Sequence, residues 1–160
     1  MTSPIHDGST AIEVPTGGAP TDEGSDMAEA MRRAEAVLAM LHQRYISAAK
    51  ADLERLATTN LKLLDLRSDH ALVLQLLHHI AHDMKGQGTT FNYPLVTEIG
   101  ASLCRLTKGR TTLADGDLRL INEHVTALHT VIAQEITGEG SAEIRDVVSR
   151  LEQAVTVALA

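Results

Sequence analysis

The residues richest in chemistry lie together, in Leu76-Leu77-His78-His79-Ile80-Ala81-His82-Asp83-Met84-Lys85-Gly86-Gln87-Gly88. On a helix advancing about 100° per residue, Gln75, His78, His79, Lys85, Gly86 and Thr89 fall within about 60° of His82. Val73, Leu77, Ile80, Met84 and Phe91 fall within about 40° of the opposite side. One face therefore predicts core. The other is a polar strip with His82 at its centre, a lysine one turn on and a glycine beside it. That strip suits phosphoryl transfer. Imidazole is nucleophilic and titrates near neutrality. A phosphoryl group on its nitrogen carries nearly two negative charges, and one exposed ammonium at Lys85 offsets them by about 1 kcal/mol or less. Any side chain at position 86 would stand beside the imidazole and obstruct a partner closing over it. Glycine inside a helix costs up to about 1 kcal/mol relative to alanine, so Gly86 and Gly88 both call for an explanation. Close approach by a partner is one.

Other chemistry is weaker in this sequence. His78 and His82 have the i, i+4 spacing of a helical metal pair, with His79 or Glu98 as further ligands. Nothing fixes those ligands, and no metal is expected. His6, His42, His70, His124 and His129 are expected to be surface or satisfied side chains, and Cys104 a small half-buried residue. A single cysteine excludes an intrachain disulfide and a cysteine-based zinc site. There is no glycine-rich phosphate loop, Gly-x-Ser-x-Gly elbow or EF-hand loop.

The elements that must position the strip are legible from apolar spacing. Met27, Met31, Ala34, Leu38, Leu41 and Tyr45 make one stripe, preceded by Asp26 and Glu29 in a capping-box pattern. Ile46, Ala49, Leu53, Leu56 and Leu63 continue it, so residues 27–64 form one long helix or two, with Thr58, Thr59 and Asn60 as a weak point. Ser68 and Asp69 can cap the histidine helix. Pro94 opens the next, which carries Leu95, Ile99, Leu103 and Leu106 and ends at Lys108, Gly109 and Arg110. Leu118, Ile121, Val125, Leu128 and Ile132 mark another. Gly138 and Gly140 break it before the last stripe, Ile144, Val147, Leu151, Val155 and Ala158. No segment alternates at period two, so the fold class is all-α, a bundle of five or six helices.

Composition agrees. With one Phe, two Tyr and no Trp, Leu, Ala, Val and Ile must fill the core, which favours packed helices over a β-sandwich. Residues 1–26 hold three of the four prolines and five acids without a Lys or Arg, most of the net charge of −7. They are expected to be a disordered acidic tail, with the domain at 27–160. The acidic balance argues against nucleic acid. No apolar run approaches the roughly 20 residues of a membrane helix, and no signal-peptide pattern is visible, so a cytoplasmic monomer is expected.

His82-Asp83-Met84-Lys85-Gly86-x-Gly88 resembles the His-x-Leu-Lys-Gly-x-Ser/Gly signature of the histidine phosphotransfer (HPt) domain family. The resemblance covers roughly residues 45–136, with the motif itself in 82–92. Phe91 stands where the family has an aliphatic residue. Gln87 departs from a usual small residue, and Asn92 replaces the glycine that closes the histidine helix. Asparagine is the next-best residue for a left-handed position after a helix, so the turn can survive.

The resemblance implies an HPt-like antiparallel four-helix bundle with an additional N-terminal helical segment. It implies His82 as phosphoacceptor, Lys85 as charge partner of the phosphoryl group and Gly86 as the clearance residue. Gln75 and His79 are supporting candidates on the same strip. On the following helix Ser102, Arg105 and Lys108 share a polar face, from which Arg105 or Lys108 would face the histidine. The implied function is a relay between receiver-domain aspartates. Its partners would be a response-regulator receiver domain and a hybrid histidine kinase, with Mg²⁺ held by the receiver and no cofactor or autonomous kinase activity in this chain. The alternatives are an HPt-like adaptor that carries no phosphate and a histidine-based metal-binding bundle.

Overall fold

A computed structural model describes residues 22–160. Among them 82% are helical and none is in a strand. The elements are α1 (Glu23–Leu61), α2 (His70–Gly88), α3 (Pro94–Thr107), α4 (Asp115–Ala133) and α5 (Ala142–Ala158), with short 3₁₀ turns at Lys62–Leu64 and Thr89–Phe91. The chain divides into two compact units, one ending at Val37 and one of Leu38–Ala160, with the division inside α1.

In the first unit α1 starts earlier than the sequence suggests. Asp26 donates its N–H to the Asp22 carbonyl and so lies inside the first turn, not at the cap. Acidic side chains at Glu23 and Asp26 suit the positive end of the helix dipole. Alanines at 28, 30, 34 and 36 and the exposed pairs of Glu29 with Arg32 and Arg33 favour helix throughout. Residues 23–26 of the expected tail are thus helical, while residues 1–21, including His6, lie outside the described residues.

In the second unit α1 runs unbroken through Thr58-Thr59-Asn60. Tertiary contact outweighs their poor propensity, because Thr59 and Asn60 are buried and the Asn60 amide donates to the Asn122 side chain of α4. The core is aliphatic, with Leu56, Leu74, Leu77, Ile99, Leu103 and Leu128 fully buried. Burial of each such side chain stabilises the fold by about 1.5–3 kcal/mol. The chain's three aromatic rings meet in one place. Phe91 stacks on Tyr45 at 4.5 Å, and Tyr93 lies 5.2 Å from Tyr45.

Side-chain contacts fix the directions of the helices. His78 meets Cys104 and Thr107, and Lys85 and Thr89 meet Thr97, so α2 and α3 run antiparallel. Glu98 binds Arg145 and Arg105 binds Thr156, so α3 and α5 run parallel. Ser102 binds His124, joining α3 to α4. No helix among the described residues is long and apolar enough to cross a membrane.

Candidate functional site

The polar strip of α2 is held by its ends and its back. At the N-terminus the Asp69 carboxylate accepts the Leu72 N–H at 3.2 Å, the cap expected from the sequence. Val73, Leu77, Ile80 and Met84 are all buried, so the apolar face is core as the spacing predicts. At the far end the chain leaves the helix after Gly88 through the 3₁₀ turn. Asn92 adopts the left-handed conformation, φ 64°, and Pro94 opens α3. Asparagine therefore does here what glycine would do, and the Tyr93 N–H closes the turn on the Gly88 carbonyl at 2.8 Å.

On the strip itself His82 exposes 65% of its side chain, and its Nδ1 lies 3.9 Å from Asp83 Oδ1. That separation is too long for a hydrogen bond but turns one ring edge toward a carboxylate. Lys85 is half-buried and forms no ion pair among the described residues. His79 is exposed and donates Nδ1–H to the Gln75 carbonyl at 2.8 Å. Gln75 is exposed as well.

His78 is different, being half-buried with Nδ1 3.2 Å from the Cys104 carbonyl and 3.3 Å from the Thr107 hydroxyl. Its ring centroid is 6.3 Å from that of His82. It fastens α2 to α3 and leaves the outer surface to His79 and His82.

Two glycines of the motif, expected to serve alike, have opposite surroundings. Gly86 is exposed, and a Cβ there would meet nothing within 4 Å. Gly88 is buried against α3, where a Cβ would stand 2.6 Å from Thr97 Oγ1 and 2.8 Å from the Tyr93 carbonyl oxygen. Partner access thus has no bearing on Gly88. Its place is set by the helix crossing, which Gly100 shares: a Cβ on Gly100 would lie 3.1 Å from both the Ala81 carbonyl oxygen and Lys85 Cβ. Thr97 seals the same corner, donating to the Lys85 carbonyl at 3.0 Å and accepting the Thr89 N–H at 2.9 Å.

Thr97 and Gly100 were not singled out in the sequence. The available signal was the small residues Ala81, Gly88 and Gly100 on either side of one turn, which acquire meaning only when α2 and α3 are set in register.

The polar face expected on α3 is not one face. Ser102 is buried and its hydroxyl donates to Nε2 of His124, whose Nδ1–H donates to the Leu120 carbonyl at 2.7 Å. Burial pushes the His124 imidazole below the usual histidine range. Arg105 is exposed and reaches Thr156 of α5 at 3.1 Å. Lys108 is exposed just beyond the end of α3. Neither forms a hydrogen bond or ion pair with His82. The register between helices decides this, and sequence spacing on one helix cannot supply it.

Of the other described histidines, His129 is exposed, His42 is half-buried against the Tyr93 ring at 5.8 Å, and His70 Nε2 is buried without a hydrogen-bond partner among the described residues. Cys104 is buried, and burial raises its thiol above the usual range. Glu98 is held by both of its oxygens on Arg145 at 2.9 Å, away from His78 and His82. Among the described residues no three of His, Cys, Asp and Glu gather into a metal-binding group.

The arrangement offers two solvent-facing imidazoles on α2, of which His82 has, one turn on, an open glycine surface and an ammonium without an ion pair among the described residues. Comparison with protein-family models, with curated proteins and with solved structures finds no match to this chain.

Proposed function

We propose that this chain is a histidine phosphotransfer protein that relays a phosphoryl group between receiver-domain aspartates through His82. In this reading the HPt-like antiparallel four-helix bundle lies in the resembling residues 45–136, the start of α1 is the additional N-terminal segment, and the protein works in the cytoplasm. The observation that carries the reading is Gly86. It is exposed, nothing in the chain crowds it, and glycine there costs up to about 1 kcal/mol of helix propensity. Packing gives no reason for that residue, whereas a partner docking over His82 does.

The chemistry assigns each group a task. In the tautomer that carries its proton on Nδ1, the Nε2 lone pair of His82 is the nucleophile. Nε2 attacks the phosphorus of a receiver's aspartyl phosphate. The N–P bond forms, the acyl O–P bond breaks, and the carboxylate departs with the electron pair. A second receiver aspartate reverses the step. Lys85 neutralises part of the charge on the phosphohistidine. The rigid helix supplies in-line positioning, and Mg²⁺ on the receiver stabilises the transferring group. The partners are a response-regulator receiver and a hybrid histidine kinase, and this chain binds no nucleotide of its own.

Incubation with a panel of phosphorylated receiver domains tests the assignment. The wild type and His79→Gln should acquire an acid-labile phosphate, and His82→Gln should acquire none. Uptake by His82→Gln at the wild-type rate, or loss in His79→Gln alone, contradicts it.

A further inference from the structure

The last turn of α2 is closed by a side chain from α3. In an uninterrupted helix the Thr89 N–H would bond the Lys85 carbonyl four residues back. Here Thr89 gives its N–H to Thr97 Oγ1 at 2.9 Å, and the same hydroxyl donates to the Lys85 carbonyl at 3.0 Å. One threonine hydroxyl thus stands in the rung between the two, with the Thr89 hydroxyl 3.0 Å from it. Threonines inside helices usually bond back along their own helix. Thr107, Thr126, Thr130 and Thr156 each donate to the carbonyl four residues before them. Thr97 reaches across to the neighbouring helix instead.

What it holds is the root of Lys85. One turn further along α3, a Cβ on Gly100 would lie 3.1 Å from Lys85 Cβ, so bare backbone runs beside the start of the lysine stem. On the helical projection Lys85 lies about 60° to one side of His82 and Gly86 about 40° to the other. Thus α3 supports the Lys85 side of the histidine, while the Gly86 side stays open. A four-carbon lysine stem is flexible, so the direction of its ammonium depends on where the stem leaves the helix. Without the Thr97 hydroxyl, the Thr89 N–H can reclaim the Lys85 carbonyl and turn that point away.

We infer that Thr97 is a positioning residue for phosphoryl transfer: its hydroxyl fixes the turn of α2 from which Lys85 reaches the phosphoryl group. The inference rests on the role given to His82.

A double-mutant cycle on the full chain tests it, with phosphate uptake followed against the concentration of a phosphorylated receiver. Thr97→Val should slow the saturated rate by about two- to fivefold, the range one exposed ammonium supplies. The half-saturating receiver concentration should not change, and Thr97→Ser should keep the wild-type rate. Thr97→Ala adds no atoms to the crossing and gives the same reading should the valine variant not fold. In a Lys85→Ala background, removing the Thr97 hydroxyl should slow transfer no further. A wild-type rate in folded Thr97→Val, a serine variant as slow as the valine, or equal slowing in both backgrounds overturns the inference and leaves His82 as acceptor. A wild type that takes phosphate from no receiver overturns the role of His82, and this inference with it.

Discussion

Gly86 and Gly88 stand two residues apart on one helix, and a comparison of the two separates architecture from function in this molecule. At Gly88 the Thr97 hydroxyl and the Tyr93 carbonyl occupy the space a side chain would need. The glycine there lets α3 cross close behind the histidine helix, and Gly100 does the same one turn further along. At Gly86 the space is empty. The fold makes no demand there, and in the proposed reading a partner's access to His82 offsets the cost of the glycine. A motif glycine therefore says nothing by itself. Its environment decides whether it belongs to the core or to a surface kept clear.

The comparison can be broken most severely at the packed residue. Gly88→Ala should lower the stability measured by urea denaturation by about 1–3 kcal/mol, the usual cost of forcing atoms into a filled site. A neutral result would mean that the α2–α3 crossing is looser than described and that Gly88 again needs another reason.

The α3–α4 seam, the second layer behind the histidine helix, gives the next largest effect. His124 is buried neutral, with its folded pKa below the unfolded value. Its contribution is therefore complete above the ordinary histidine pKa and is lost as pH falls below it, by up to about 1.4 kcal/mol per pH unit. Asp117 loses stability in a separate, more acidic window. Burial pushes its carboxyl up, but Arg110 and the Ala114 N–H outweigh that and hold it below the usual range. Stability should thus fall in the wild type as pH drops below the ordinary histidine value of about 6.5. His124→Gln, less stable at neutrality, should be flatter across that range. An equal slope in the variant would show that the buried imidazole is not the group responsible.

The smallest effect lies on the open side. Gly86→Ala should raise stability by up to about 1 kcal/mol through helix propensity alone. A loss of stability would reveal a neighbour not seen in the structure.

Much of this architecture could be read from spacing. The apolar face of α2, the Asp69 cap, the left-handed Asn92 and Pro94 at the head of α3 depend on residues close in sequence, where local chemistry sets the backbone. What escaped depends on register between helices. Ser102 has a polar side chain on a helix surface, and only the position of His124 on α4 shows that this surface is interior. Arg105 is drawn to Thr156 on α5 by the same unreadable register. The stripe from Met27 to Leu41 is helical as its spacing predicts, and Met27, Met31, Leu38 and Leu41 are exposed. Periodicity identifies an apolar face but does not say whether its own chain covers it. At the site, the strip around His82 was legible because it lies on one helix, and the opposite meanings of Gly86 and Gly88 were not.

The central claim is that the surface beside His82 is kept clear for a partner, and Gly86→Gln tests it most directly. Its transfer rate from a phosphorylated receiver should be measured alongside its melting temperature. The glutamine has open space around it and a better helix propensity than glycine, so the variant should melt no lower than the wild type. Its phosphate uptake should be slower by tenfold or more, about 1.4 kcal/mol or greater in transition-state stabilisation. A folded Gly86→Gln protein that accepts phosphate at the wild-type rate would contradict the account.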